Sequence, residues 1–148
     1  MSKRTIAIVC GGDSSEYEVS QRSAQGLYSF FDKEQYDVYI VLMRGVDWQV
    51  HLADGTTAPI DRNDFSFMEN GKLVHFDYAY ITIHGTPGEN GILQGYFDLI
   101  HFKVIDFIPY NGSFEYLFSI TKLYVPFSLN VISSITGNRC CVFVYCLA

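Results

Sequence analysis

The 148-residue sequence is poor in positive charge, in patterned cysteine and in long apolar runs, and each shortage excludes something. Only 10 residues are Lys or Arg against 16 Asp or Glu, for a net charge of −6. Nucleic-acid backbones and anionic membrane surfaces attract basic footprints, so neither nucleic acid nor a membrane is expected as a partner. The four cysteines are Cys10, Cys140, Cys141 and Cys146, with no CxxC spacing and no histidine near the last three. That pattern indicates neither a zinc site nor a disulfide framework. No charge-free run reaches the roughly 18 to 20 apolar residues of a spanning helix. The apolar run after MSKR ends at a glycine pair, too early for the core of a secretory signal. The expectation is a cytoplasmic protein whose ligands are small and polar or weakly charged.

About half the residues are apolar (49%), enough for one ordinary domain with a core. The stretch Thr5 to Cys10 (TIAIVC) is continuously apolar and rich in β-branched residues, as suits a strand buried on both faces of a parallel sheet. After Gly11 and Gly12, Ser15-x-x-Glu18 fits a capping box, so a helix is expected to start near Glu16. Val19, Ser23, Leu27 and Phe31 recur every four residues as its sheet-facing stripe. Tyr36 to Met43 is the next strand, completing a βαβ unit with a right-handed crossover. Asp54-Gly55 and Asn70-Gly71 mark two hairpins, read as small excursions. Asp77 to Ile83 is a third core strand, ending in His84-Gly85-Thr86-Pro87-Gly88. A second helix is expected over Asn90 to Ile100, burying Ile92, Leu93, Tyr96 and Leu99 or Ile100. The fold class is therefore α/β, an open and mostly parallel sheet with flanking helices.

In such sheets ligands lie beyond the carboxyl ends of strands, where the loops Gly11 to Glu16 and His84 to Asn90 both sit. Those loops converge if their strands are neighbours. The glycine pair alone is a weak phosphate signal, since neither G-x-x-x-x-G-K-[ST] nor G-x-G-x-x-G is present. Glu16 and Glu18 would repel phosphate at the helix start, and a ligand bearing an ammonium group fits better. A plainer account of each residue stands beside this one. Glutamate in a first turn complements the helix dipole, a histidine ending a strand is commonly a satisfied half-exposed residue, and Gly85, Pro87 and Gly88 turn the chain.

Two long motifs, CGGDSSEYEVSQRSA and YITIHGTPGENGILQGYFDLI, followed by IPY, resemble the amino-terminal domain of D-alanine:D-alanine ligases. These are ATP-grasp enzymes that make the dipeptide terminus of peptidoglycan precursors. The resemblance covers about residues 3 to 100, with Ile108-Pro109-Tyr110 as a last fragment. It implies a Rossmann-like domain at residues 1–110 and an activity in which ATP phosphorylates the first D-alanine and the amine of the second attacks the acyl phosphate. It places Glu16 on the ammonium of the first D-alanine and His84 near its carboxylate, the two residues implied to serve catalysis. Val19 falls against the substrate methyl, Ser20 at the start of the helix that carries the site, and Gly85, with Gly88, where backbone approaches the ligand. Glu89, Gln94 and Gly95 match as loop and helix structure. ATP and Mg²⁺ are cofactors of the full-length family, and homodimers are common in it.

The sequence departs from that pattern after Tyr110. The lysine-bearing run of the family is missing, Lys122 is a poor substitute, and no ATP-grasp domain is recognisable. Between Asn111 and Ala148 the charged residues are Glu115, Lys122 and Arg139, amid many Phe, Tyr, Ser and Cys. Residues 111–148 are accordingly expected to be a truncation scar or a shifted reading frame, beginning somewhere between His101 and Gly112. The family reading makes the chain a ligase substrate domain, inactive alone. The alternative is a free-standing small-ligand binding or interaction module that kept the fold without the chemistry.

Overall fold

A computed structural model of the chain describes residues 3–105, 133–135 and 140–142. The chain divides into two units, residues 1–104 and 105–148. In the first, β1 (Arg4–Gly11) leads into α1 (Tyr17–Phe30) and then β2 (Tyr36–Arg44). A meander follows: β3 (Asp47–His51), β4 (Thr57–Asp61), β5 (Ser66–Glu69) and β6 (Lys72–His75). The chain then forms β7 (Tyr78–Ile81), α2 (Ile92–Leu99) and the short edge strand β8 (Val104–Ile105). In the second unit, β9 (Ser133–Ile135) and β10 (Cys140–Val142) pair antiparallel. The expectation of a foreign tail otherwise lies outside the described residues.

The eight strands form one sheet in the order β6-β5-β4-β3-β2-β1-β7-β8. Its centre is parallel: β1 pairs with β2 from Arg4↔Tyr36 to Gly11↔Met43 and with β7 from Ile6↔Tyr78 to Val9↔Ile81. The α/β class holds, but the sheet is mixed rather than mostly parallel, because the two hairpins extend it by four antiparallel pairings from β2 to β6. The expected excursions are thus half of the sheet. Short loops cannot cross over, so consecutive strands joined by them must pair antiparallel. At the second turn Asn70 and Gly71 have φ of +51° and +75°, both positive as a type I′ turn requires.

Side-chain alternation explains the two textures of the strands. On β1, Ile6, Ile8 and Cys10 enter a core beneath α1, with Ala24 and Val38, while Ala7 and Val9 enter the larger core on the other face. Both faces are covered, hence the unbroken apolar run. The meander strand β4 buries only Ala58 and Ile60, and its sequence alternates accordingly.

The first helix is rotated from its expected face, and the second largely keeps it. On α1 the buried residues are Ser20 and Ala24, with Leu27 and Phe31 packed partly against the sheet. Val19 is 43% exposed, so the expected stripe of Val19 and Ser23 lies one residue off. Small Ser20 and Ala24 let the helix approach β1 closely, which a stripe led by Val19 would prevent. On α2 the expected Leu93 is buried and Tyr96 and Ile100 pack partly against the core, but Phe97 is the second buried residue, and Ile92 and Leu99 are 61% and 79% exposed. Phe97 is held by a ring cluster centred on Phe65, which meets Phe97, Phe76 and Phe102 at centroid distances of 4.9, 5.2 and 5.3 Å.

Phe65 is fully buried although its φ is +55°, a conformation costly for a bulky residue. The contacts of its ring with α2 and the meander offset that cost. Phe65→Ala is expected to destabilise the chain by about 3–5 kcal/mol. A urea titration would show this as a lower midpoint at unchanged slope.

Candidate ligand site at the strand ends

Because β1, β2 and β7 run parallel, their carboxyl ends lie on one edge, and the loop Gly11 to Glu16 is tied to both neighbours there. Toward β2, Gly12 donates its N–H to the Met43 carbonyl at 2.8 Å, and the Gly45 N–H donates to Asp13 Oδ1 at 2.8 Å. Toward β7, the Asp13 N–H donates to the Thr86 carbonyl at 2.9 Å and the Ser14 hydroxyl to the His84 carbonyl at 2.7 Å. The loops Gly11 to Glu16 and His84 to Asn90 therefore do converge.

Two glycines answer to this closeness. A Cβ on Gly12 would stand 2.6 Å from Ile83 Cγ2 and 2.8 Å from the Thr86 carbonyl oxygen. One on Gly85, whose φ is +72°, would stand 2.8 Å from Ser14 Cβ. Gly85 thus lies close against Ser14 of the facing loop. The Gly88 position is likewise closed to a side chain by the Ile83 carbonyl.

The expected capping box does not form. Glu16, rather than Ser15, is the N-cap of α1, and no side-chain cap hydrogen bond is made. Ser14 instead accepts the Glu16 N–H at 3.2 Å while donating to His84. Ser14 thus accepts a local N–H and donates to a carbonyl of the facing loop at the same time. Glu18 remains in the first turn, where its charge complements the helix dipole.

The site residues separate into outer and inner positions. Glu16 and Val19 are exposed at the helix start, and His84 is half-exposed with Nδ1 3.8 Å from Glu89 Oε1. Ser20 is fully buried: its hydroxyl accepts the Gly11 N–H at 2.9 Å and donates to the Thr82 carbonyl at 2.9 Å. Thr82 in turn donates to the Val9 carbonyl at 3.1 Å. Ser20 therefore clamps α1 to β1 and β7 from within, one turn beneath Glu16. Asp13, Ser14, Thr82 and Thr86 escaped the sequence reading as site builders. The polar run DSS after a glycine pair and a lone threonine in an apolar strand were the available signals.

Burial pushes the Cys10 thiol up to about 12, so it stays protonated and inert at neutral pH. Among the described residues no group of three or more His, Cys, Asp or Glu is placed to hold a metal ion. No helix among them is long and apolar enough to cross a membrane. An open concavity of about 580 Å³ includes Trp48, Ile60, Arg62, Pro87 and Tyr96 in its lining. It touches the second loop at Pro87 but includes neither Glu16 nor His84.

These features define an α/β domain that presents an acidic helix start and a histidine-bearing loop along one sheet edge. The family model described as "D-ala D-ala ligase N-terminus" matches residues 5–113. A D-alanine–D-alanine ligase of Phocaeicola vulgatus is 76% identical over 110 residues, 74% of this chain and 32% of the relative. One from Bacteroides thetaiotaomicron is 64% identical over 109 residues, again 74% and 32%. Among solved structures, D-alanyl-alanine synthetase A from Vibrio cholerae superposes with a TM-score of 0.60 at 29% identity, covering 71% of this chain and 31% of that one. The chain belongs to the D-alanine–D-alanine ligase family and corresponds to its amino-terminal domain. It spans about a third of the length of these relatives.

Removing the inner clamp should be costly. Ser20→Ala leaves a buried N–H and a carbonyl unpaired, an expected loss of about 2 kcal/mol. Hydrogen exchange at the Gly11 amide should accelerate in parallel.

Proposed function

We propose that this region holds the first D-alanine for an ATP-dependent D-alanine:D-alanine ligase and does not form the dipeptide by itself. The observation that carries the reading is Glu16, an exposed carboxylate at the start of α1 whose own N–H is tied through Ser14 to the backbone of His84. A carboxylate fixed at a helix start binds an ammonium through a charge-assisted hydrogen bond and sets its direction. His84, on the facing loop, donates to the substrate carboxylate. Val19, on the outer surface of the same helix turn, meets the methyl group. Gly85 keeps the loops close, and Ser20 acts from inside rather than on the substrate.

The described residues contain no cluster of His, Cys, Asp or Glu that could hold Mg²⁺. Phosphoryl transfer depends on nucleotide, metal and cationic clamps held in register. In this reading those groups belong to other parts of the ligase, and only the ammonium and carboxylate ends of one amino acid are this region's task.

Titration of the chain with D-alanine, followed by NMR, tests the assignment. Weak saturable binding is expected, with loss of it in Glu16→Gln; unchanged affinity in that variant removes the ammonium role. ATP hydrolysis by the chain alone that depends on D-alanine would contradict the division of labour.

The break in composition after Tyr110 nearly coincides with the end of the family match at residue 113, which supports reading the tail as foreign to the ligase. Sequencing the coding DNA through codon 111 and well past codon 148 should reveal the lysine motif and ATP-grasp domains in another frame. If no frame carries them, the free-standing binding module becomes the better reading.

A further inference from the structure

The two ends of the proposed substrate are assigned to different loops, and the spacing between those loops is set by few atoms. Ser14 Oγ is the most direct of them. Its hydroxyl proton goes to the His84 carbonyl at 2.7 Å, and its lone pair accepts the Glu16 N–H at 3.2 Å. One oxygen atom thus joins the backbones of the residue proposed for the ammonium and the residue proposed for the carboxylate.

The surroundings leave Ser14 little freedom. Gly85, next to His84, has no Cβ, and one placed there would lie 2.8 Å from Ser14 Cβ and 3.2 Å from its Oγ. The Asp13 N–H, on the residue before, is held at 2.9 Å by the Thr86 carbonyl. Ser14 is part-buried and does not cap α1. Its hydroxyl accepts the N–H of the N-cap residue Glu16 and none from the first turn.

We infer that Ser14 is a positioning residue for two-point recognition: its hydroxyl fixes the separation of Glu16 and His84 so that one α-amino acid spans them. Without the hydroxyl each residue still offers its side chain, but the two are no longer held at one spacing. The advantage lost is that of presenting both contacts together, which a ligand with only one of the two charged ends never enjoys.

This inference rests on the reading of Glu16 and His84 given above, and a paired-ligand experiment separates their failures. The 148-residue chain is titrated with D-alanine and with D-alanine methyl ester, which keeps the ammonium and lacks the carboxylate, in wild-type, Ser14→Ala and Glu16→Gln forms. Wild type should favour D-alanine. Ser14→Ala should weaken D-alanine by about tenfold, bring its affinity close to that of the ester, and accelerate exchange at the Glu16 amide. A loss of local stability alone would weaken both ligands equally and leave their ratio intact. An unchanged ratio in Ser14→Ala, with wild type still selective and sensitive to Glu16→Gln, overturns the role of Ser14 alone. Absence of any preference in wild type overturns both, since there is then no second contact to position.

Discussion

The parallel alignment of β1 with its two neighbours is the constraint on which the site depends. Parallel ladders bring three carboxyl ends to one edge, and the chain that leaves β1 there must pass between the chains that leave β2 and β7. In that gap backbone groups have no further ladder partners. They are satisfied by one another and by short side chains: Gly12 with Met43, Asp13 with Gly45 and Thr86, Ser14 with His84. The loop is consequently a junction with fixed geometry, and the helix that follows inherits its starting point from it.

Rigidity at this edge is built from small residues. Gly12 and Gly85 allow backbone to lie where a side chain would otherwise stand, and Ser20 and Ala24 let α1 settle against β1. Close packing of this kind has little tolerance, because one added carbon meets backbone or a branched side chain at under 3 Å. The same closeness makes hydroxyl groups effective here. Ser14, Ser20 and Thr82 each reach a carbonyl of another segment, so three short side chains hold the helix start, β1 and the β7 loop together. The large Phe65 cluster performs the contrasting task of filling volume, and its rings pack against α2 at Tyr96 and Phe97.

Function in this family member follows from division between a scaffold and a surface. The apolar strand TIAIVC and the aromatic core supply stability that no ligand need provide, while Glu16, Val19 and His84 stay at the open edge. These three side chains remain accessible to solvent. The relatives extend well beyond the matched third of their length.

The sequence by itself determined the strands, the turns and the identity of the two loops. Continuous apolar β-branched runs, Asp-Gly and Asn-Gly turns, and glycines following a strand are local signals whose physics needs no distant partner. The long motifs around Glu16 and His84 also carried the family. Tertiary structure decided what depends on competition between local and distant partners. Ser15-x-x-Glu18 has the pattern of a capping box, yet Glu16 is the N-cap with no side-chain cap hydrogen bond, and Ser14 bridges the Glu16 N–H to the His84 carbonyl. Val19 is more apolar than Ser20, yet Ser20 is the buried one because both of its hydrogen bonds find partners on neighbouring strands. Ile92 and Phe97 could each have faced the core, and the pull of the Phe65 ring cluster chose Phe97. Spacing along a chain sets which side chains can share a face, but which face turns inward is set by contacts made only when the sheet is assembled.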